Sequence, residues 1–319
     1  MARNSIDATG WLVEQRNSEV VKRFAAVSAW DAASRHIPMT ANSVRIPRID
    51  DMDVDVIAKG AAYGEDTSSA DTVALTAAKF GKALRIAEED TSDDLLADFL
   101  ETKKQSAASS FAKKFDNAAI GVNAVQNGTT VPFTSLYKAL TTADASTGYT
   151  ANANVLTSNA PTYDIISQLL GIVESSDYYD DSQLTLIAHP RFRQILRGIK
   201  DGQGRPIFLP DVINGRRIDT VLGIPLLYSN GAKVTAVATT QGVGAGVGAG
   251  VKGTTGNPLL AAVVKPYAVT GDRTPFESVV IPGRDGLAGL TDEDILKVRT
   301  RKAAGVTTPQ AHAIFELIA

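Results

Sequence analysis

Residues 189–229 read HPRFRQILRGIKDGQGRPIFLPDVINGRRIDTVLGIPLLYS. An amphipathic helix over 190–199, a glycine turn and a short apolar strand follow one another there. Pro190 stands in the helix's first turn, where a missing N–H is not needed. Upstream, 163–175 has helical periodicity and 184–188 reads as a strand. This alternation predicts a mixed sheet flanked by helices.

Working outward, 91–122 is the longest helical pattern. Thr91 and Asp94 form a capping box, and Leu95, Leu96, Phe99, Ala107, Phe111, Phe115, Ala118 and Val122 fall along one face, with no proline before Pro132. At 1.5 Å per residue such a helix is roughly 45 Å long. Lys103, Lys104, Lys113 and Lys114 lie mostly off that face, as a solvated side. Residues 44–57 and 72–86 read as two strands, with a change of apolar phase near Ala78 that suggests a bulge. The polar segment between them, 59–71, is too long for a tight turn, so a long protruding hairpin is expected. Residues 18–30 predict a short helix within an otherwise extended N-terminal stretch. Trp11 in that stretch anchors either on a neighbouring subunit or on its own domain. Residues 129–161 read as irregular connection, and 241–257 as a glycine-rich loop without a core of its own. Four short segments, 259–267, 278–281, 295–301 and 311–318, complete one or two sheets.

The chain has 319 residues, 44% hydrophobic and 21% charged, with a mean hydropathy of -0.02. That is ordinary globular composition, enough for one large core or two modest ones. A net charge of -3 lacks the concentrated positive charge that favours tight phosphate-backbone binding, although a container for DNA need not bind it. The absence of cysteine removes disulfides, thiolate metal sites and cysteine nucleophiles. No apolar run suits a signal peptide or a membrane helix, so a soluble cytosolic protein is expected.

Chemical motifs are formal only. Gly248, Gly250 and Gly253 satisfy GxGxxG, which cradles a pyrophosphate when it opens a helix, but here Pro258 and a strand-like run follow. Asp51, Asp53 and Asp55 copy the first ligands of a calcium loop, yet Val56 stands where that turn needs glycine and Ala62 where it needs a bidentate carboxylate. His36, His189 and His312 form no zinc-binding pair, no GxSxG elbow occurs, and Asp177, Asp180 and Asp181 read as a polar loop. No catalytic residue, cofactor or metal site is assigned.

An N-terminal arm, a polar-tipped hairpin, a long helix, an α/β segment ending in LGIPLLYSN and a closing VRTRKAAGVTTPQAHAIFEL occur in that order over nearly the whole chain. This order resembles tailed-bacteriophage major capsid proteins of the Hong Kong ninety-seven fold. The resemblance implies an α+β fold: an arm over 1–43, an extended loop over 44–90, a peripheral domain with spine helix over 91–161 and an axial domain over 162–265. Peripheral return strands over 266–305 and a C-terminal strand over 306–319 returning to the axial domain complete it. It further implies a virion shell of pentamers and hexamers enclosing double-stranded DNA, assembled in the host bacterial cytoplasm. Sister copies are the main partners, with portal, scaffold and decoration proteins as further classes and no membrane. Inter-subunit contact candidates are Trp11, Arg45 and Arg48 as exposed charges at the hairpin base, and Lys59, Tyr63, Glu65 and Asp66 at its tip.

Some members of this family weld subunits by a lysine–asparagine isopeptide bond beside a glutamate. No asparagine follows Asn257, and Arg299, Arg301 and Lys302 stand where the acid is expected, so shells boiled in detergent should release monomers. The long scaffolding extension of some relatives has no counterpart, leaving a separate scaffold, prior removal or no scaffold. Two other readings stay open: an encapsulin-like cellular nanocompartment shell, distinguished by a co-purifying cargo enzyme, and a nucleotide-dependent α/β enzyme using Gly248–Gly253, distinguished by thermal stabilisation with dinucleotides.

Overall fold

The computed structural model describes residues 28–49, 54–65, 70–87, 99–200, 204–205, 208–213, 216–240, 250–281 and 293–318. The chain opens with α1 (Ala29–Ala33), β1 (Arg35–Pro38), β2 (Ser43–Ile49), β3 (Ala70–Thr76), β4 (Ala78–Ala87), α2 (Phe99–Ile120) and α3 (Leu136–Thr141). It continues with β5 (Val155–Ser158), α4 (Tyr163–Glu174), β6 (Leu184–Ala188), α5 (Arg191–Gly198), β7 (Phe208–Ile213), β8 (Arg216–Val221) and β9 (Ile224–Tyr228). The last strands are β10 (Leu259–Val264), β11 (Ala268–Ile281), β12 (Glu293–Val306) and β13 (Ala313–Leu317). Side chains cap the helix starts where sequence allows. Ser28, Ser135 and Thr162 accept from the backbone N–H of Asp31, Lys138 and Ile165.

Among the described residues three sheets form. Seven strands run β5-β13-β10-β6-β9-β8-β7, four run β1-β11-β12-β4, and β2 pairs with β3 alone. Two cores flank the seven-stranded sheet, and β10 explains why. Its sequence LLAAVV is wholly buried, with Leu259, Ala261 and Val263 in the core shared with α2 and α3, and Leu260, Ala262 and Val264 in the core under α4 and α5. A strand covered on both faces reads as an unbroken apolar run. The first core carries Trp30, Phe115, Phe133 and Tyr137, essentially without exposure. Each such side chain contributes roughly 1.5–3 kcal/mol through burial.

The joint between α2 and the seven-stranded sheet is polar and fully satisfied. Asp116 accepts from the Ser28 and Ser229 hydroxyls, each at 2.5 Å, and from the backbone N–H of Ala29 and Trp30 at 3.1 Å. Asn117 next to it donates to the carbonyls of Gly231 and Lys233 at 3.0 and 3.1 Å, and accepts from Thr235 Oγ1 and the Thr239 N–H. Burial pushes the Asp116 carboxyl pKa up, and the four donors pull against it.

Several expectations need correction. Residues 72–86 are two strands rather than one bulged strand: β3 stays in the hairpin, while β4 joins β12 in the four-stranded sheet. Ala77, between them, donates its N–H to the carbonyl of Asn42, which closes the hairpin at that point. The stretch 129–161 is not irregular throughout. Its apolar piece forms α3, and 155–158 forms β5. The segments read as 278–281 and 295–301 are the ends of two fourteen-residue strands, β11 and β12. The helix expected over 91–122 is seen from Phe99 to Ile120; its capping box at Thr91 lies outside the described residues, as does most of the helix expected over 18–30.

Candidate assembly surfaces

The hairpin is pinned at its base and exposed at its tip. Leu75 is buried over Gly305, so close that a Cβ on that glycine would stand 2.4 Å from a Leu75 methyl. Arg48 on β2 donates to Asp71 on β3, to Asp144 at 2.8 Å and to the Thr307 carbonyl at 2.8 Å. One guanidinium therefore ties both hairpin strands to two other parts of the chain, as its rigid fork of donors suits. Burial lowers the Arg48 pKa, but the bonds to Asp144 and Asp71 raise it further, and the bond from Arg48 holds the Asp71 carboxyl below its usual range.

Beyond this pin the chain touches little. Val54, Val56 and Tyr63 are 83%, 103% and 86% exposed, and the chain reverses at Lys59–Gly60, where Gly60 takes a positive φ of 88°. Large apolar side chains held this far out bury nothing within their own chain, which marks a surface meant for another molecule.

The sequence-based candidates separate accordingly. Lys59, Tyr63 and Glu65 are exposed together at the tip, and Arg45 is exposed on β2. Arg48 departs from expectation: its side chain is only 15% exposed and is engaged within the chain. Trp11 and Asp66 lie outside the described residues.

Sequence reasoning missed a second surface, a groove of about 660 Å³ between α2 and the β4–β12 edge of the four-stranded sheet. Phe80, Phe111 and Phe276 line it together with Lys79, Lys82, Lys114 and Arg299. The lysines of α2 were read as a solvated side; what joins them to those of β4 is a contact between elements some thirty residues apart, without local signature.

The glycine tract has no nucleotide-binding geometry in its described part. No helix follows Gly253; the chain runs into β10. The Gly253 N–H is taken by Glu316 at 2.7 Å, and the same buried carboxylate accepts from Tyr137 Oη at 2.7 Å and Asn257 Nδ2 at 2.6 Å. The place of an anion is thus filled by β13 itself. Gly248, Asp51 and Asp53 lie outside the described residues, and among those described no three His, Asp or Glu side chains gather as metal ligands.

The model of the phage capsid family matches residues 10–244. The chain is 26% identical over 243 residues to the probable major capsid protein gp17 of Mycobacterium phage L5, covering 74% of this chain and 68% of that one. Among solved structures, it superposes on one from Mycobacterium phage Bobi with a TM-score of 0.68 at 15% identity, over 97% of this chain and 96% of that chain. One from Microbacterium phage Oxtober96 gives 0.66 at 19% identity, over 98% and 97%. A chain from the capsid of a native GTA particle gives 0.64 at 14% identity, over the whole of both. At these identities the structural likeness establishes the fold.

Proposed function

Because the chain belongs to the phage capsid family, we propose that it is a major capsid protein whose copies close into an icosahedral shell of pentamers and hexamers around phage double-stranded DNA. The observation that carries this reading is the hairpin. Its two strands are tied together and to two other parts of the chain at the base, while Val54, Val56 and Tyr63 stand uncovered at its tip. Heterologous contacts of that kind build rings when the rotation closes. The chain's own residues would supply binding surfaces rather than a reaction centre, and DNA would be enclosed without sequence recognition, in keeping with a net charge of -3. Sister copies are its principal partners; portal, scaffold and decoration proteins are the further classes this reading leaves room for. Assembly would take place in the host bacterial cytoplasm and end in the virion capsid.

Electron microscopy of the purified chain tests the reading. Closed shells are expected. If small monomers were all that formed under every assembly condition, the reading would fall. Shells that co-purify with a cargo enzyme and hold no DNA would favour a cellular compartment instead.

A further inference from the structure

We infer that the basic surface of α5 in one copy packs on the carboxylate-bearing turn after α4 in the next, so that opposite charge orders the copies head to tail. This rests on the shell reading above and adds to it a pair of surfaces that meet. Charge is unevenly divided along this part of the chain. Residues 139–190 hold six carboxylates and no lysine or arginine, whereas residues 191–217 hold seven lysines and arginines against two carboxylates. The fold keeps the two stretches apart. α4 packs on β13 and β10 and ends in the turn that leads into β6, and α5 follows the other end of β6. Five residues of strand, roughly 17 Å at about 3.3 Å each, lie between the two surfaces.

On the basic side Arg191, Arg197 and Lys200 are exposed, and on the acidic side so are Glu174, Asp177, Asp180 and Asp181. Among the described residues no carboxylate forms an ion pair with Arg191 or Lys200, and no cation forms one with those four carboxylates. Arg193 stands outside the surface, 3.7 Å from Asp219 and over the Tyr228 ring. The carboxylates also crowd the C-terminal end of α4, whose last turn holds no basic residue, so the helix dipole adds to their mutual repulsion. A cation from outside relieves both. Aromatic rings support the turn: Tyr179 donates to Asp181 at 3.1 Å and Tyr178 meets Tyr267 edge to face at 5.2 Å. Such a surface suits a guanidinium, which stacks on rings and forks onto carboxylates. Both halves of the match lie on one chain, at different places, which is what a heterologous contact between copies requires. A partner of another kind would match only one of them.

Charge reversal tests this. A turn variant, Asp177→Lys with Asp180→Lys and Asp181→Lys, and a helix variant, Arg191→Glu with Lys200→Glu, should each lower particle yield about tenfold or more. One chain carrying all five changes should recover it, which a folding defect would not allow. Mixing the two variants separates head-to-tail order from any other contact. Like copies then repel and unlike copies attract, so the two must alternate around a ring; six places permit alternation and five do not. Electron microscopy of the mixture should show hexamers, sheets or tubes without closed shells. A second arm needs no variant. Carbodiimide condenses an amine with a carboxylate in contact, and digests of treated particles should contain Lys200, the only lysine of 191–217, joined to a carboxylate of 174–181. Unchanged yield from either variant, closed shells from the mixture, a folded five-change chain that forms no particles, or treated particles without the joined peptide would overturn the proposal. Absence of particles from the unmodified chain would instead overturn the shell reading.

Discussion

Gly121, just past the end of α2, lies against the carbonyl of Lys233 so closely that a β-carbon there would stand 1.9 Å from the oxygen. Gly231, two residues before that lysine, is also confined: its β-carbon would stand 2.6 Å from the Asn117 backbone nitrogen. The long helix and the loop after β9 therefore meet backbone to backbone, and the side chains of Asp116 and Asn117 bind that loop from the same end.

Gly121→Ala should force this contact apart. The atom in the way belongs to the backbone, so relief requires moving the loop and loosening the bonds that Asn117 makes. A loss of about 2–4 kcal/mol, or failure to accumulate folded chain, is the expected outcome. Thermal unfolding of the unassembled chain checks it; a melting temperature within a degree of the parent would contradict it.

Arg48→Ala should loosen the hairpin base. Asp144 and the Thr307 carbonyl would be left without their donor in a half-buried place, at a cost of about 1–3 kcal/mol. Arg48→Lys should recover only part, because a single ammonium does not reach three acceptors in the geometry of a planar fork. Hydrogen exchange over 43–49 and 70–76 should quicken in both variants, more in the alanine, with α4 and α5 unchanged.

His312 should make the fold acid-sensitive. Its ring is fully buried, Nδ1 accepts from the Val264 N–H at 3.3 Å, and burial pushes the pKa down to about 4. The unfolded chain then binds a proton that the folded chain refuses. Stability is complete above an ordinary histidine pKa of about 6.5 and falls as pH drops from there toward about 4, by about 3 kcal/mol in full. Denaturant midpoints at pH 7 and pH 4.5 should differ less in His312→Asn than in the parent; equal slopes would remove the residue from the account.

His36 should act in the opposite sense. Its Nδ1 faces Asp272 Oδ2 at 2.6 Å and its Nε2 faces the Asp31 carbonyl at 3.0 Å. Both partners only accept, so the doubly protonated ring alone satisfies both. Burial lowers the pKa but these bonds outweigh it, and the net shift is upward. Stability from this contact is present below the ordinary value and lost as pH rises through the raised one. Lys302, bonded to Asp31 at 2.6 Å and Asp272 at 3.2 Å, keeps part of the grip. Protection of β1 amides, measured relative to their intrinsic exchange rates, should therefore fall as pH rises above the ordinary histidine value, and His36→Gln should abolish that fall.

Local periodicity carried most of the fold. The helix over 163–174 and the strand 184–188 were legible because burial on one side alone writes its period into the sequence. Positions where two sheets share one strand path were less so. The phase change near Ala78 is the same whether a strand bulges or passes from one sheet to another, and only the distant partners β2 and β12 decide. β11 looked short because its outer half, with Phe276, Val279 and Val280 exposed, lacks alternation. Of the contact candidates, the tip was legible as a polar interruption between strands. The engagement of Arg48 was not, since Asp144 and the Thr307 carbonyl lie 96 and 259 residues away.

The passage from β3 to β4 through the single residue Ala77 has a mechanical meaning. Tension that a neighbour applies to the ribbon reaches Thr76 and enters β4 along its length, where ten residues are in register with β12. The load is then borne in shear by all those rungs at once, instead of being peeled from one end. A container swollen from within would thus hand its outward force from one subunit to the next through continuous backbone, as a strap does.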